Sequence, residues 1–353
     1  MIETLTQDAI ALLKQLIETP SFSSEEDKTA LLIEHWFVKH NIAYHRTKNN
    51  VWAVNKHFNN NKQTILLNSH HDTVKPNNGY TKNPFEAVVE DGKLYGLGSN
   101  DAGGCLVSLL ATFTYFYKKK NLDFNLVIVA SAEEESSGPN GLNSMLPIIP
   151  NIDVAIVGEP TQMHLAIAEK GLVVFDAKVK GTASHAAHPN TDNAIYNTVE
   201  TLKWFQEYKF SKKSPVLGDV KMTVTQINAG KQHNAVPSEV DLVIDVRVND
   251  KYTNAEIAEV LRQKAPCSSI VPRSLKLNSS SIPQHHELVK AGIELGRDIY
   301  GSPTLSDQAV LSCPSLKLGP GDSTRSHTAD EFIYIKEIEE GVKIYIELLE
   351  KVL

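Results

Sequence analysis

Four short apolar runs in this chain each stop at side chains that can bind a cation or move a proton. Thr64-Ile65-Leu66-Leu67-Asn68 ends in Ser69-His70-His71-Asp72. Asn125-Leu126-Val127-Ile128-Val129 leads to Glu133-Glu134-Glu135, and Asp153-Val154-Ala155-Ile156-Val157 to Gly158-Glu159-Pro160-Thr161. Ser315-Leu316-Lys317-Leu318 leads to Gly319-Pro320-Gly321-Asp322, with His327 shortly after. A glycine-rich turn, Gly96-Leu97-Gly98-Ser99-Asn100-Asp101-Ala102-Gly103-Gly104, precedes a long apolar helix pattern. Sites in open α/β sheets form at the carboxyl ends of the strands. Histidines and carboxylates gathered there suit zinc or a similar divalent metal.

Taken singly, each motif allows a plainer reading. The spacing His70-x-Asp72 puts both side chains on one face of an extended segment. His70 offers a ring nitrogen to a metal, and Asp72 is better placed to hold that imidazole. The same pair also describes a strand-end histidine satisfied by its neighbour. His71 points to the opposite face and is given no role. Asp101 could bridge two metals with its two oxygens, or cap a helix running through Tyr117. The turn lacks the lysine of a P-loop, which weighs against a phosphate cradle. Three adjacent glutamates repel one another, a penalty that divalent cations would remove. In an extended segment they would point alternately, so they cannot share one job. Glu133 is expected to be a solvated loop acid. Farther along, His185 lies in Gly181-Thr182-Ala183-Ser184-His185-Ala186-Ala187-His188-Pro189, where surface histidines are usually inert. Asn234 and Arg247 offer a carboxamide and a guanidinium, the latter on an alternating strand where a solvent-facing charge is the bland expectation.

The elements that must position these residues are legible as patterns. The length of 353 residues suggests two domains. Residues 3–18 form an amphipathic helix pattern stopped by Pro20, and Ser23 with Glu26 resembles a capping box for a second helix through Lys39. Strands are expected at Val51–Asn55 and Thr64–Asn68, joined by a hairpin-like turn at Asn59-Asn60-Asn61-Lys62. Helices alternating with short continuous apolar strands indicate an α/β fold with a mostly parallel central sheet. After Gly171 the pattern changes to β-α-β-β-α-β, the ferredoxin-like order. Its strands are expected at Leu172–Lys180, Lys221–Ile227, Val240–Val248 and Ser274–Leu277, and its helices near 192–208 and 254–264. The expected organisation is a catalytic domain of residues 1–171 and 282–353, with residues 172–281 inserted. A net charge of −7 speaks against nucleic-acid binding. No apolar run reaches the roughly 18 residues of a membrane span. The first residues do not read as a signal peptide, and three scattered cysteines fit a reducing cytoplasm.

Together these motifs resemble the di-zinc aminoacylase, acetylornithine deacetylase and succinyl-diaminopimelate desuccinylase family of metallopeptidases, over essentially the whole chain. The deacetylase branch is the nearest in character, on Gly158-Glu159-Pro160-Thr161, Glu169-Lys170-Gly171 and Gly319-Pro320-Gly321-Asp322. The resemblance implies two zinc ions, with cobalt as a substitute, bridged by Asp101. His70 and Glu159 would complete one site, Glu135 and His327 the other. Glu134 would be the general base and Asp72 the partner of His70. His185 would stabilise the oxyanion, and Asn234 and Arg247 would contact substrate. An N-acyl amino acid, first N-acetyl- or N-succinyl-ornithine in arginine biosynthesis, is the implied substrate, with a desuccinylase or dipeptidase as alternatives. A homodimer through the inserted domain is the implied assembly. Arg325 and Lys170 stand near metal motifs as candidate readers of a succinyl carboxylate, or as plain surface charges. Leu97 and Ala102 depart from the family, which often has arginine and lysine there, and Ser136-Ser137 replaces a more usual apolar-glycine pair.

Overall fold

A computed structural model describes all residues, Met1–Leu353. The chain divides into two compact units. The first comprises residues 1–167, 281–300 and 306–353, and the second residues 168–280 and 301–305.

The first unit is built on a mixed sheet. Its strands include β1 (His45–Thr47), β2 (Asn50–Val54), β3 (Thr64–His70), β4 (Asn125–Ser131), β5 (Val154–Val157) and the start of β6 (Leu165–Glu169), whose last two residues are counted with the second unit. The order is β1-β2-β4-β3-β5, then Ser315–Lys317, then β6. The four central strands, β4, β3, β5 and Ser315–Lys317, are mutually parallel. Every residue of β3, β4 and β5 is buried. Burial on both faces is why these runs are continuously apolar rather than alternating. One face carries α1 (Ile2–Ile17), α3 (Gly104–Phe116) and the last helix, Ile335–Glu350. On the other, the short helix Leu142–Met145 packs its Leu142 and Met145 against Leu66, Val127 and Ala155. Parallel strands end at the same edge of the sheet, so His70, Glu133–Glu135, Glu159 and Gly319–Asp322 follow from one edge.

Two local expectations fail here, and one of the two readings of Asp101 is excluded. The polar stretch 59–62 does not close a hairpin, because β4 lies between β2 and β3. Helix α2 (Asp27–Lys39) has no side-chain cap. Ser23 instead donates to Asp72 at 2.7 Å. The Glu26 carboxylate is buried and accepts from the backbone N–H of Ser24 and Glu133 and from Asn49. Asp101 does not open a helix either. It has extended backbone angles (φ −116°, ψ 98°), and regular α3 begins at Gly104.

The second unit holds an antiparallel four-stranded sheet of β7 (Gly171–Lys180), β8 (Lys221–Ala229), β9 (Glu239–Val248) and β10 (Ser269–Pro272). Its order is β8-β9-β7-β10. Helices α4 (Ala194–Glu207) and α5 (Asn254–Lys264) contribute Phe205, Ile257 and Leu261 to one core with Val173, Phe175, Ala177 and Val179. That alternate face of β7 is the one its sequence pattern marks. The last strand lies at Ser269–Pro272, not at Ser274–Leu277. Asn254 explains the irregular stretch, since its amide donates to the carbonyls of Leu275 and Leu277.

Candidate metal centre

At the carboxyl edge of the parallel strands, two donor trios share one residue. His70, Asp101 and Glu159 form the first, and Asp101, Glu135 and His327 the second. The Asp101 oxygens divide between them. Oδ1 lies 3.4 Å from His70 Nε2, and Oδ2 lies 3.6 Å from His327 Nε2. Glu159 Oε1 is 3.8 Å from His70 Nε2, and Glu135 Oε2 is 3.1 Å from His327 Nε2. Bonds of about 2.1 Å in a tetrahedral zinc site put ligand atoms roughly 3.4 Å apart. Most of these separations are longer than good hydrogen bonds and fit that edge length. His70 Nε2 is buried and has no hydrogen-bond partner, an orphan expected of a ligand nitrogen. The donors therefore fit a pair of divalent cations.

His70 and Glu135 are both aimed by Asp72. The ring Nδ1 of His70 donates to the backbone carbonyl of Asp72 at 3.0 Å, leaving Nε2 to face the carboxylates. Asp72 is fully buried, and its oxygens accept from the backbone N–H of Glu134 and Glu135, each at 3.1 Å. Asp72 thus fixes the acidic turn as well as its histidine. That turn is not extended: Glu133 has φ +55°, and the N–H of Ser137 bonds back to Glu134 O. Glu133 is not solvated. It is buried, with its carboxylate held by Ser24 and by the backbone and amide of Asn140. His71 turns away, donating through Nε2 to Asn49 O at 2.9 Å and meeting Thr29 at 2.9 Å.

So many buried acids perturb one another. Burial, with Asp101 alongside, pushes Glu159 up to about 8. Burial also raises Glu134 well above the carboxylate range, Glu159, Asp307 and Glu135 adding to it against His70. The hydrogen-bonded Glu135 lifts His327 to about 9. Burial opposes a proton on His70, but Asp101 and Asp72 outweigh it and raise its pKa well above the usual value. The cluster thus has more negative charge than its own side chains neutralise, a condition that bound cations relieve.

Two buried acids escaped the sequence reading. Asp307 accepts from Ser131 Oγ at 2.6 Å, and burial raises it to about 6. Glu331, 2% exposed, accepts from backbone N–H groups of the glycine-rich turn. Both sit far in sequence from their partners, and neither follows an apolar run of the kind that flags the other acids.

The remaining candidates are in the second unit. His185 and Asn234 are exposed and brought together by a two-residue ladder, Ser184–His185 against Ala235–Val236. Arg247 is half-buried and makes a two-pronged pair with Asp245, at 2.9 and 3.1 Å, so it is not a bare solvent-facing charge. Lys170 donates to Asp219 O at 2.9 Å. Arg325, in the first unit, binds Glu337 through two bonds of 2.7 Å. Both cations are thus already engaged within their own units.

Fold and cluster together have the make-up of a metal-dependent hydrolase. Residues 66–351 match Peptidase family M20/M25/M40, and the chain belongs to that family. Acetylornithine deacetylase of Proteus mirabilis is 28% identical, over 97% of this chain and 96% of that protein. Succinyl-diaminopimelate desuccinylase of Rickettsia bellii is 26% identical, over 90% of this chain and 89% of that protein. A solved Bacillus subtilis structure, described as a dinuclear metal binding peptidase from the M20 family, shares the fold with TM-score 0.76. It is 15% identical and covered over 98% of both chains.

Proposed function

We propose that this protein hydrolyses the amide bond of an N-acyl amino acid with two divalent metal ions, zinc or cobalt in its place. The observation that carries this reading is the division of Asp101, one oxygen toward His70 and Glu159 and the other toward His327 and Glu135. The two ions would supply Lewis acidity, lowering the pKa of water from about 15.7 toward about 7 and polarising the acyl carbonyl.

The chain's own residues do the rest. Glu134 takes the proton of the attacking water and returns it to the leaving nitrogen. Asp72 aims both His70 and the backbone that carries Glu134. His185 donates to the tetrahedral oxyanion, and Asn234 and Arg247 bind the substrate, the guanidinium anchoring its carboxylate. Asp245 pairs with Nε and Nη2, so that carboxylate would meet the Nη1 edge. The β-α-β-β-α-β order and the strand order of the second unit support reading it as a ferredoxin-like module inserted into the catalytic domain, at about residues 172–281. The same module would pair two copies into a homodimer.

Within this chemistry, N-acetylornithine in arginine biosynthesis is the preferred substrate, in the cytoplasm. N-succinyl substrates are second, because both candidate cations for their extra carboxylate are engaged. The relative from Rickettsia bellii keeps a desuccinylase activity in view. Purified enzyme loaded with zinc or cobalt should release free amine from N-acetyl- and N-succinyl-ornithine, -citrulline and -diaminopimelate at clearly different rates. Dipeptides belong in the same screen. Fastest turnover of N-acetylornithine is expected, and failure to release amine from any of these would sink the proposal.

A further inference from the structure

The mechanism makes no use of Glu331, yet this residue is almost fully buried beside the shared carboxylate. Its Oε1 accepts from the backbone N–H of Asn100 at 2.8 Å and of Asp101 at 2.9 Å. Its Oε2 accepts from the N–H of Gly98 at 3.2 Å. The Glu331 carbonyl also accepts from Gly96 N–H at 3.0 Å. One glutamate therefore holds four N–H groups between Gly96 and Asp101. This stretch most needs a template, because Gly96 and Gly98 have positive φ and Asp101 and Ala102 leave helical geometry.

The clasp is set in the segment that also carries a donor. Glu331 is four residues beyond His327, and Asn100 binds the start of that segment from the other side. Its amide donates to Asp322 O at 3.1 Å and its oxygen accepts from Asp322 N–H at 3.0 Å. The Asp101 loop and the Asp322–Glu331 segment are thereby locked together at both ends, and His327 lies between the locks.

We propose that Glu331 is a positioning residue for metal binding: its carboxylate sets the backbone of Asp101 so that the two oxygens of that aspartate serve both trios at once. It touches no metal and no substrate. This rests on the two-metal reading above. Because Asp101 is common to both trios, the loss of Glu331 must weaken both metals together, whereas a change at Glu159 or His327 strikes one first.

Glu331→Gln tests this with little change in shape. The carboxamide oxygen can still accept from Asn100 and Asp101, but its NH2 then faces the Gly98 N–H, donor against donor. Folded apoprotein of wild type and variant is titrated with cobalt(II), followed by its absorption bands, and with zinc by calorimetry. Thermal melting of both apoproteins is recorded in parallel. Outer residues of this kind typically contribute 10–100-fold to metal affinity. A loss of at least about tenfold for both equivalents, in a variant folded at the titration temperature, is the expected result. Two equivalents bound with wild-type affinity would overturn the proposal, even if the melting temperature fell, since that is the behaviour of a merely structural residue. Should Glu331→Gln fail to fold, Glu331→Asp is titrated under the same criterion, because it keeps the charge and loses the reach. Wild-type protein that binds fewer than two equivalents would overturn the two-metal reading itself, and this inference with it.

Discussion

Asp72 and Glu26 have similar jobs at the acidic turn. Asp72 holds the N–H groups of Glu134 and Glu135, and Glu26 holds that of Glu133. With each backbone position fixed, the three glutamates point to separate tasks despite being adjacent. Glu134→Gln is expected to lower turnover by at least about 10²-fold while both metals stay bound. Glu135→Ala is expected to lose metal; elemental analysis beside a rate assay separates the two, and a fully active Glu134 variant would refute the assigned base. His71 makes a prediction of another kind. Burial depresses it to about 4, against the unperturbed imidazole value of about 6.5. Between those values the unfolded chain binds the extra proton, so stability rises with pH. The contribution is complete above pH 6.5 and fades as pH falls toward 4, by up to about 3 kcal/mol. Denaturant unfolding of wild type and His71→Gln across that window should show the slope flattening in the variant; parallel curves would count against it. The residues of both trios stood out in sequence because each follows an apolar run or a glycine turn, while their grouping came from the family resemblance. Asp307 and Glu331 did not, and Glu26 read only as a helix cap, since a buried carboxylate is held by partners that only the fold brings near.

Elements were readable where burial dictates composition. Strands β3, β4 and β5 needed continuous apolar runs because helices cover both faces, and β7 needed alternation because one face is covered. Connections were less readable. Nothing in Asn59-Asn60-Asn61-Lys62 announces that a strand from sixty residues later will separate β2 from β3, because pairing is a tertiary choice. The start of α3 was open for a related reason: an aspartate before an apolar helix also reads as a cap, whereas here Asp101 is extended and the regular helix begins at Gly104. The close packing of that turn is testable. A Cβ on Gly103 would lie 2.5 Å from Gly98 O and 2.6 Å from a methyl of Leu13 in α1. The Leu13 tip can yield but the Gly98 backbone cannot, so Gly103→Ala must open the turn between Gly98 and Gly103. The expected cost is about 1–3 kcal/mol, read as a lower denaturation midpoint with unchanged m-value. Weaker cobalt binding should accompany it. Wild-type stability in this variant would mean that the turn is looser than its contacts indicate.

At the scale of the whole molecule, the donors and the proposed oxyanion residue belong to different units. All five donors and Glu134 are in the first, and His185 is in the second. If the second unit pairs copies of the chain, His185 can complete the site of the partner rather than its own. The proposed contribution is that of one oxyanion donor, roughly 10²–10³ in turnover. Mixing His185→Ala with Glu134→Ala, each nearly inactive alone, distinguishes the two arrangements once subunits have been shown to exchange. Acting in trans, a mixed dimer holds one site with both defects and one with neither, so activity returns. Acting in cis, every site keeps one defect and the mixture stays as poor as its parents. With random exchange of equal amounts, half of the dimers are mixed and half of the sites within these are intact. The recovered rate should therefore approach a quarter of the wild-type value per site, as expected from chance pairing. Persistent inactivity after demonstrated exchange would remove His185 from the partner's site while leaving the metal chemistry of the first unit untouched.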